Sequence, residues 1–148
     1  DDVPDSIHFA LLPEGMEGWR NPDLAEKWQR LLTVRGEVTK ALEEARARKE
    51  IGHPLDASVV IGAPRDLYEV LVEYAEDLHS YFIVSEVLLE PEPVEGAFAS
   101  REIKGLTISV GRAAGEKCER CWVHDTTVGA VPDHPTICER CKNQLEAM

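Results

Sequence analysis

Four cysteines constrain this chain more than any other feature. They fall in two close pairs, Cys118-x2-Cys121 and Cys138-x2-Cys141, with 16 residues between the pairs. Two such pairs roughly 15–20 residues apart are the spacing of a zinc-ribbon type of site. Zinc takes four ligands at tetrahedral angles with Zn–S of about 2.3 Å, and a tight turn of two intervening residues lets both sulfurs of a pair reach one ion. Both turns are the same tetrapeptide, Cys-Glu-Arg-Cys. Four thiolates leave a bound zinc ion net negative. Lys117, Arg120, Arg140 and Lys142 lie beside them in sequence, where they can offset that charge or, pointing outward, form a local basic patch. Four cysteines leave no open coordination position, so the expectation is one structural Zn2+ and no catalytic metal. His124 and His134 then read as surface or loop residues.

Other cysteine chemistries fit less well. A redox Cys-x2-Cys normally opens a helix after a strand in a thioredoxin-like setting, and here there are two pairs without that setting. An iron–sulfur centre also uses four thiolates and stays chemically open. A secreted disulfide scaffold would spread its cysteines through the fold, and the opening Asp1-Asp2-Val3-Pro4-Asp5 has neither the basic nor the apolar part of a signal peptide. A reducing, cytoplasmic setting is expected. The opening also lacks a methionine, as a piece of a longer chain would, and no apolar run approaches the ~20 residues that span a bilayer.

Upstream, the pattern is α+β. Residues 1–20 read as irregular, with a short apolar patch at 7–12. Asn21-Pro22-Asp23 is a helix start: an N-cap, a proline at the first helical position and an acid in the first turn. Leu24, Trp28, Leu31, Val38, Leu42 and Ala45 continue it at helical period, and Arg46, Arg48 and Lys49 end it with Gly52 as the expected cap. The result is a long N-terminal helix of about 28 residues. Residues 57–61 read as a strand, and Ala63-Pro64-Arg65-Asp66 opens a second helix with the stripe Leu67, Leu71, Tyr74 (or Ala75) and Leu78. Residues 81–84 and 86–89 are strand-like, 90–101 a loop, and 106–110 a strand with one wet face. This makes a small β-α-β-β unit. Gly111-Arg112-Ala113-Ala114-Gly115 reads as a flexible joint leading into the cysteine module. Expected units are residues 1–53, 54–112 and 113–148.

Charge bears on partners. The net charge is −12, which disfavours bulk attraction to nucleic acid. The imbalance is confined to residues 1–100, with nine basic and 21 acidic side chains, while residues 101–148 carry seven of each. A nucleic-acid contact would therefore use a local patch, or a larger parent protein would supply the positive field. Basic residues near the helix end, Arg46 among them, are candidates, although a helix C-terminus favours cations without any ligand. Glu43-Glu44 and Glu73, Glu76 and Asp77 read as solvated faces, and Trp19 and Trp28 as core or interface residues.

The run Gly115-Glu116-Lys117-Cys118-Glu119-Arg120-Cys121-Trp122, with Ile137-Cys138-Glu139-Arg140-Cys141, closely resembles the C-terminal zinc module of bacterial isoleucyl-tRNA synthetases. Upstream, Trp28-Gln29-Arg30-Leu31-Leu32, Arg35-Gly36-Glu37-Val38 and Leu42-Glu43 with Ala45-Arg46 are similar to a long helix of that family's anticodon-binding region. Lys49, Ile51-Gly52, Leu55 and Ala57 are similar to the turn after it. The resemblance runs from about residue 5 to residue 145. It implies a distal part of a helical anticodon-binding domain (1–53), a junction domain (54–112) and a zinc module (113–148) related to the finger of formamidopyrimidine-DNA glycosylases. It further implies Cys118, Cys121, Cys138 and Cys141 as zinc ligands, tRNA-Ile and the upstream domains of a parent synthetase as partners, and Trp122 in contact with the anticodon. An indole beside a rigid metal turn suits an unstacked base, although packing over the zinc site is an equally good use of it. Lys117, Arg120, Arg140, Lys142 and Arg46 are the candidate phosphate contacts.

The resemblance also implies what is missing. Class I synthetases activate amino acids with a His-x-Gly-His-type motif and a Lys-Met-Ser-Lys-Ser-type loop, and neither occurs here. Ile51-Gly52-His53 reads as a helix cap. No catalytic residue is expected, and the piece should not aminoacylate alone. Two other readings compete. One is a zinc-ribbon protein-interaction module without RNA binding, for which the acidic front part is natural. The other is a glycosylase finger, which would be more basic and leaves the 28–46 helix unexplained.

Overall fold

The computed structural model describes residues 6–11, 15 and 17–147. Short 3-10 turns at Ile7–Phe9 and Glu17–Trp19 precede the long helix α1, Pro22–Ala47. Leu12, from the apolar patch, lies outside the described residues, and Phe9, Leu11 and Trp19 are exposed. Trp19 is therefore not a core residue in this chain. Helix α1 starts as its sequence dictates: the Asn21 side chain accepts the Leu24 N–H at 3.0 Å, with Pro22 at the first position. Its buried stripe is Leu31, Val34, Val38, Ala41, Leu42 and Ala45, and Trp28 meets Tyr81 edge-on at 4.9 Å.

The end of α1 differs from expectation. Arg48 is the C-cap and Lys49 follows in the left-handed region at φ 62°. Glu50 N–H donates to Ala45 O and Lys49 N–H to Arg46 O, the paired bonds of a Schellman motif. Gly52 has no part in it. Its N–H and that of His53 donate to Asp56, and the His53 side chain caps the 3-10 turn Pro54–Asp56 instead. A lysine thus occupies the position that favours glycine. Lys49→Gly is expected to raise stability by about 0.5–1 kcal/mol, left-handed strain being relieved against the greater freedom of the unfolded glycine. An increased urea midpoint at unchanged slope is the measurement.

Strand β1, Ala57–Gly62, follows, then α2, Arg65–Glu73. The helical stripe through Leu78 belongs to two helices, because the chain breaks after α2 and resumes as α3, Leu78–Phe82. Tyr81 and Phe82 are therefore helical and not strand, and Ile83 closes α3 at φ 58°. Strand β2, Glu86–Glu90, pairs parallel with β1. Strand β4, Thr107–Arg112, pairs antiparallel with β1 on its other side. Within the expected loop, Phe98–Ala99 forms a short β3 on β4, giving the sheet order β2-β1-β4-β3. Val59, Ile61, Val87, Leu89 and Ile108 share one face by alternation and make one core with α1, α2 and α3. The α+β class stands; the small unit gains a helix and a strand over the β-α-β-β pattern.

One carboxylate is buried in this layer. Glu37 is 1% exposed and pairs with Lys40 on the same helix face. Burial pushes its carboxyl up, but hydrogen bonds from Lys40 and Ser100 and the lysine charge outweigh it and hold the group below its ordinary value. A carboxyl lowered on folding stabilises the fold above its unfolded pKa and loses that contribution as pH falls through the folded one. Stability is therefore expected to fall as pH drops below the ordinary glutamate value of about 4.3. Glu37→Gln should flatten part of that fall in urea titrations from pH 7 to pH 3.

Candidate metal centre

The last third of the chain has little apolar material and is organised around sulfur. Strands β5, Glu116–Lys117, and β6, His124–Asp125, form a two-stranded hairpin, and helix α4, Glu139–Glu146, follows. The first Cys-x2-Cys turn is the hairpin's tip. Trp122 N–H donates to Cys118 O at 2.9 Å, and Cys118 N–H donates to Val123 O at 2.9 Å. Trp122 reverses the chain from φ 67°. The second turn is the start of α4, with Cys138 at its N-cap and Cys141 in its first turn. This pair does open a helix, but no strand precedes it as in a redox domain. Glu119 N–H to Thr136 O, and Glu139 N–H to the Thr127 hydroxyl, bring the two turns together.

The four Sγ atoms lie within 4.8 Å of one another. Cys118–Cys141 and Cys121–Cys138 are each 3.8 Å apart. A tetrahedron with Zn–S near 2.3 Å has edges of about 3.8 Å, whereas a disulfide would need about 2.05 Å. Cys118, Cys138 and Cys141 are buried and Cys121 is half-buried. Burial raises the Cys118 thiol, but the N–H groups of Cys121, Cys138 and Arg120 aimed at it bring it down to about 6. Burial and the neighbouring sulfurs push Cys138 up to about 12, and burial raises Cys121. Four sulfurs this close do not ionise together without a cation among them. The donor set and its spacing thus fit a thiophilic metal ion such as zinc. Among the described residues this is the one cluster that can hold a metal ion, and neither His124 nor His134 belongs to it.

The basic residues around the centre are placed differently from one another. Arg140 is exposed, and the nearby Cys121 sulfur holds its guanidinium above the ordinary value. Lys142 pairs with Glu146 at 2.6 Å, and Arg46, distant on α1, pairs with Glu43 at 2.9 Å. Lys117 stands over the Trp122 ring, its Nζ 5.6 Å from the centroid. Trp122 is 59% exposed and is not packed over the sulfurs as a small core. Lys117, Cys118, Glu119 and Trp122 line a shallow recess at the tip. Sequence reasoning missed His124. It reads as a loop residue but sits in β6, with its ring between Gly115 O (3.2 Å from Nδ1) and Asp56 (3.6 Å from Nε2).

Comparison with known proteins converges on the same segment. Residues 115–143 match the family model described as the zinc finger found in FPG and IleRS. Isoleucine–tRNA ligase of Geobacter sulfurreducens is 46% identical over 136 residues, which take in 92% of this chain and 15% of that protein. The same enzyme of Caldanaerobacter subterraneus is 46% identical over 145 residues, covering 96% of the chain and 15% of the relative. That of Desulfotalea psychrophila is 40% identical over 149 residues, covering 100% of the chain and 16% of the relative. The chain thus spans about 15% of the length of these curated relatives. Among the described residues, no helix is long and apolar enough to cross a membrane.

Proposed function

We propose, on the premise that this chain belongs with the C-terminal zinc-finger region of bacterial isoleucyl-tRNA synthetases, that it holds the anticodon side of tRNA-Ile for a cytoplasmic, ATP-dependent isoleucine–tRNA ligase. It performs no chemistry itself. Residues 1–53 serve as the distal part of the helical anticodon-binding domain, 54–112 as a junction and 113–148 as the zinc module. The core shared by Val34, Val38 and Leu42 with the sheet makes α1 a rigid link between the first two. Cys118, Cys121, Cys138 and Cys141 hold one zinc ion, which stiffens the two turns. Upstream domains of the synthetase are the remaining partners.

The observation that carries this reading is Trp122. Its indole is largely exposed on a residue locked in the left-handed region, hydrogen-bonded through its N–H into the first cysteine turn. Exposing a large aromatic there costs solvation and backbone strain, and an unstacked base recovers the buried area. Lys117 and Arg120 are the phosphate contacts that need no rearrangement, since neither is engaged by a carboxylate among the described residues. Arg46 and Lys142 would first have to exchange their present carboxylate partners.

The test is a titration of the zinc-loaded chain against tRNA-Ile and a non-cognate tRNA at two salt concentrations. Binding is expected to weaken with salt, to favour tRNA-Ile, and to lose about 1–3 kcal/mol in Trp122→Ala, the usual contribution of one stacked base. Curves that stay flat in every condition would reject independent tRNA recognition. They would favour a protein-interaction zinc module, to which the acidic residues 1–100 are suited.

A further inference from the structure

The link between the α/β body and the metal module is short and built of small residues, Ala113-Ala114-Gly115. Such a link would not by itself fix how the module points. Three contacts from separate elements close around it. Ala113 N–H donates to Asp56 O at 2.8 Å, continuing the β1–β4 ladder past its end. The Ser85 hydroxyl, just ahead of β2, accepts the His124 N–H at 2.8 Å and donates to Leu55 O at 2.5 Å. Ser85 is itself pinned to the body, because its own N–H donates to Ala57 O at 3.0 Å. The His124 ring bridges Gly115 O and the Asp56 carboxylate, and Asp56 is held in place by the N–H groups of Gly52 and His53 at 3.0 and 2.7 Å.

We infer that Ser85 and His124 are positioning residues that fix the direction in which the cysteine module, and with it Trp122, projects from the body. The chain of contacts is continuous. His124 pairs with Lys117 across the hairpin, and Val123 O holds the Cys118 N–H. Trp122 N–H is bonded to Cys118 O, so fixing β6 fixes the main chain from which the indole projects. Ser85 reaches this hairpin from a different part of the chain and touches no cysteine. Its effect on any ligand at the tip therefore passes through orientation. The consequence for RNA rests on the anticodon-side reading above; the joint does not.

Residual dipolar couplings on the zinc-loaded chain test this directly. In the unaltered chain, residues 57–112 and 116–141 should fit one alignment tensor. In Ser85→Ala with His124→Ala, the tensor magnitude of the module should fall by about half or more, as a populated open state averages it. Chemical shifts inside the module and zinc content should stay unchanged. Ser85→Thr with His124 intact, which keeps the hydroxyl, should keep the single tensor. His124→Ala alone keeps the main-chain bond to Ser85 and serves should Ser85→Ala not fold, with a smaller loss expected. Affinity for tRNA-Ile should drop roughly tenfold in the double variant, as the binding-competent fraction falls. A double variant that still fits one full tensor would overturn the inference, as would two tensors in the unaltered chain. A loosened module that binds tRNA equally well would overturn the positioning role. Failure of the unaltered chain to bind tRNA would remove the anticodon reading, while the couplings would still decide the joint.

Discussion

Removing zinc with a chelator, or replacing Cys138 by serine, is expected to melt residues 116–146 and leave the sheet and its three helices folded. The module's buried cluster is Cys118, Cys138 and Cys141, joined by the partly buried Cys121, Val128 and Ile137. Two aliphatic side chains cannot offset the entropy of ordering some thirty residues at about 1–2 kcal/mol each. Units below about 40 residues generally depend on a metal, a disulfide or a partner for this reason. A structural zinc ion contributes about 10–16 kcal/mol at neutral pH in finger peptides, and that binding energy is folding energy. The body has its own core of aliphatic residues from α1, α2, α3 and the sheet and shares none of it with the cysteines. Amide spectra should therefore show the signals of the module collapsing to random-coil shifts while those of residues 22–112 persist. Cys121→Ser should be milder. Cys121 is the half-buried ligand, three buried thiolates remain, and water can reach the vacated position. Dispersed module signals in a metal-free sample would show that the hairpin and α4 stand without the ion.

The gathering of the four cysteines was legible because its geometry is local. Each Cys-x2-Cys turn carries its own spacing, and only one long-range closure, between 121 and 138, is needed to assemble four sulfurs. Helix α1 was legible at its start because Asn21, Pro22 and Asp23 act within one turn. Its end was not. The Schellman bonds close on Lys49, and a lysine at φ 62° is held there by Glu50 N–H to Ala45 O against its own preference. Tyr81 and Phe82 misled because aromatic residues favour strands only where a pleated, half-buried surface receives them. Phe82 is instead four residues after Leu78, and both are buried on one face of a short helix. Strand β3 is two residues long and exists through its pairing with Ile108 and Thr107, which no periodicity in 90–101 announces. The joint was illegible for a related reason. His124 and Ser85 are 39 residues apart, and Ser85 and Leu55 are 30 apart. Their partnership follows from the parallel crossover that brings β2 beside β1, which local pattern does not encode. The five residues read as a flexible linker are accordingly divided between the end of β4 and a braced corner.

That corner also sets the second large effect, at Gly115. Its φ is +83°, in the region that L residues other than glycine avoid at a cost of about 1–2 kcal/mol. A Cβ added there would run into the carbonyl of Asp125 and come within 2.5 Å of Thr126 N. These are main-chain atoms of the hairpin partner, so no side-chain rotation relieves the clash. Relief requires opening the Glu116–Asp125 pair, the first rung of β5–β6. Overpacking of this kind costs about 1–3 kcal/mol, and with the backbone strain the total for Gly115→Ala is about 3 kcal/mol or more. Metal binding and module folding are coupled, so the loss should appear as a weakening of apparent zinc affinity by roughly a hundredfold or more. Gly129 is the control. It has φ +89° with nothing within 4 Å of its added Cβ, so Gly129→Ala should cost only the backbone strain of about 1–2 kcal/mol. Competition titrations with a zinc chelator measure both. Equal losses at the two glycines would mean that backbone strain alone sets the effect and that the close approach to Asp125 does not govern the hairpin. A much larger loss at Gly115 shows that the close approach of Gly115 to the Asp125 main chain governs closure of the hairpin that carries the first cysteine turn.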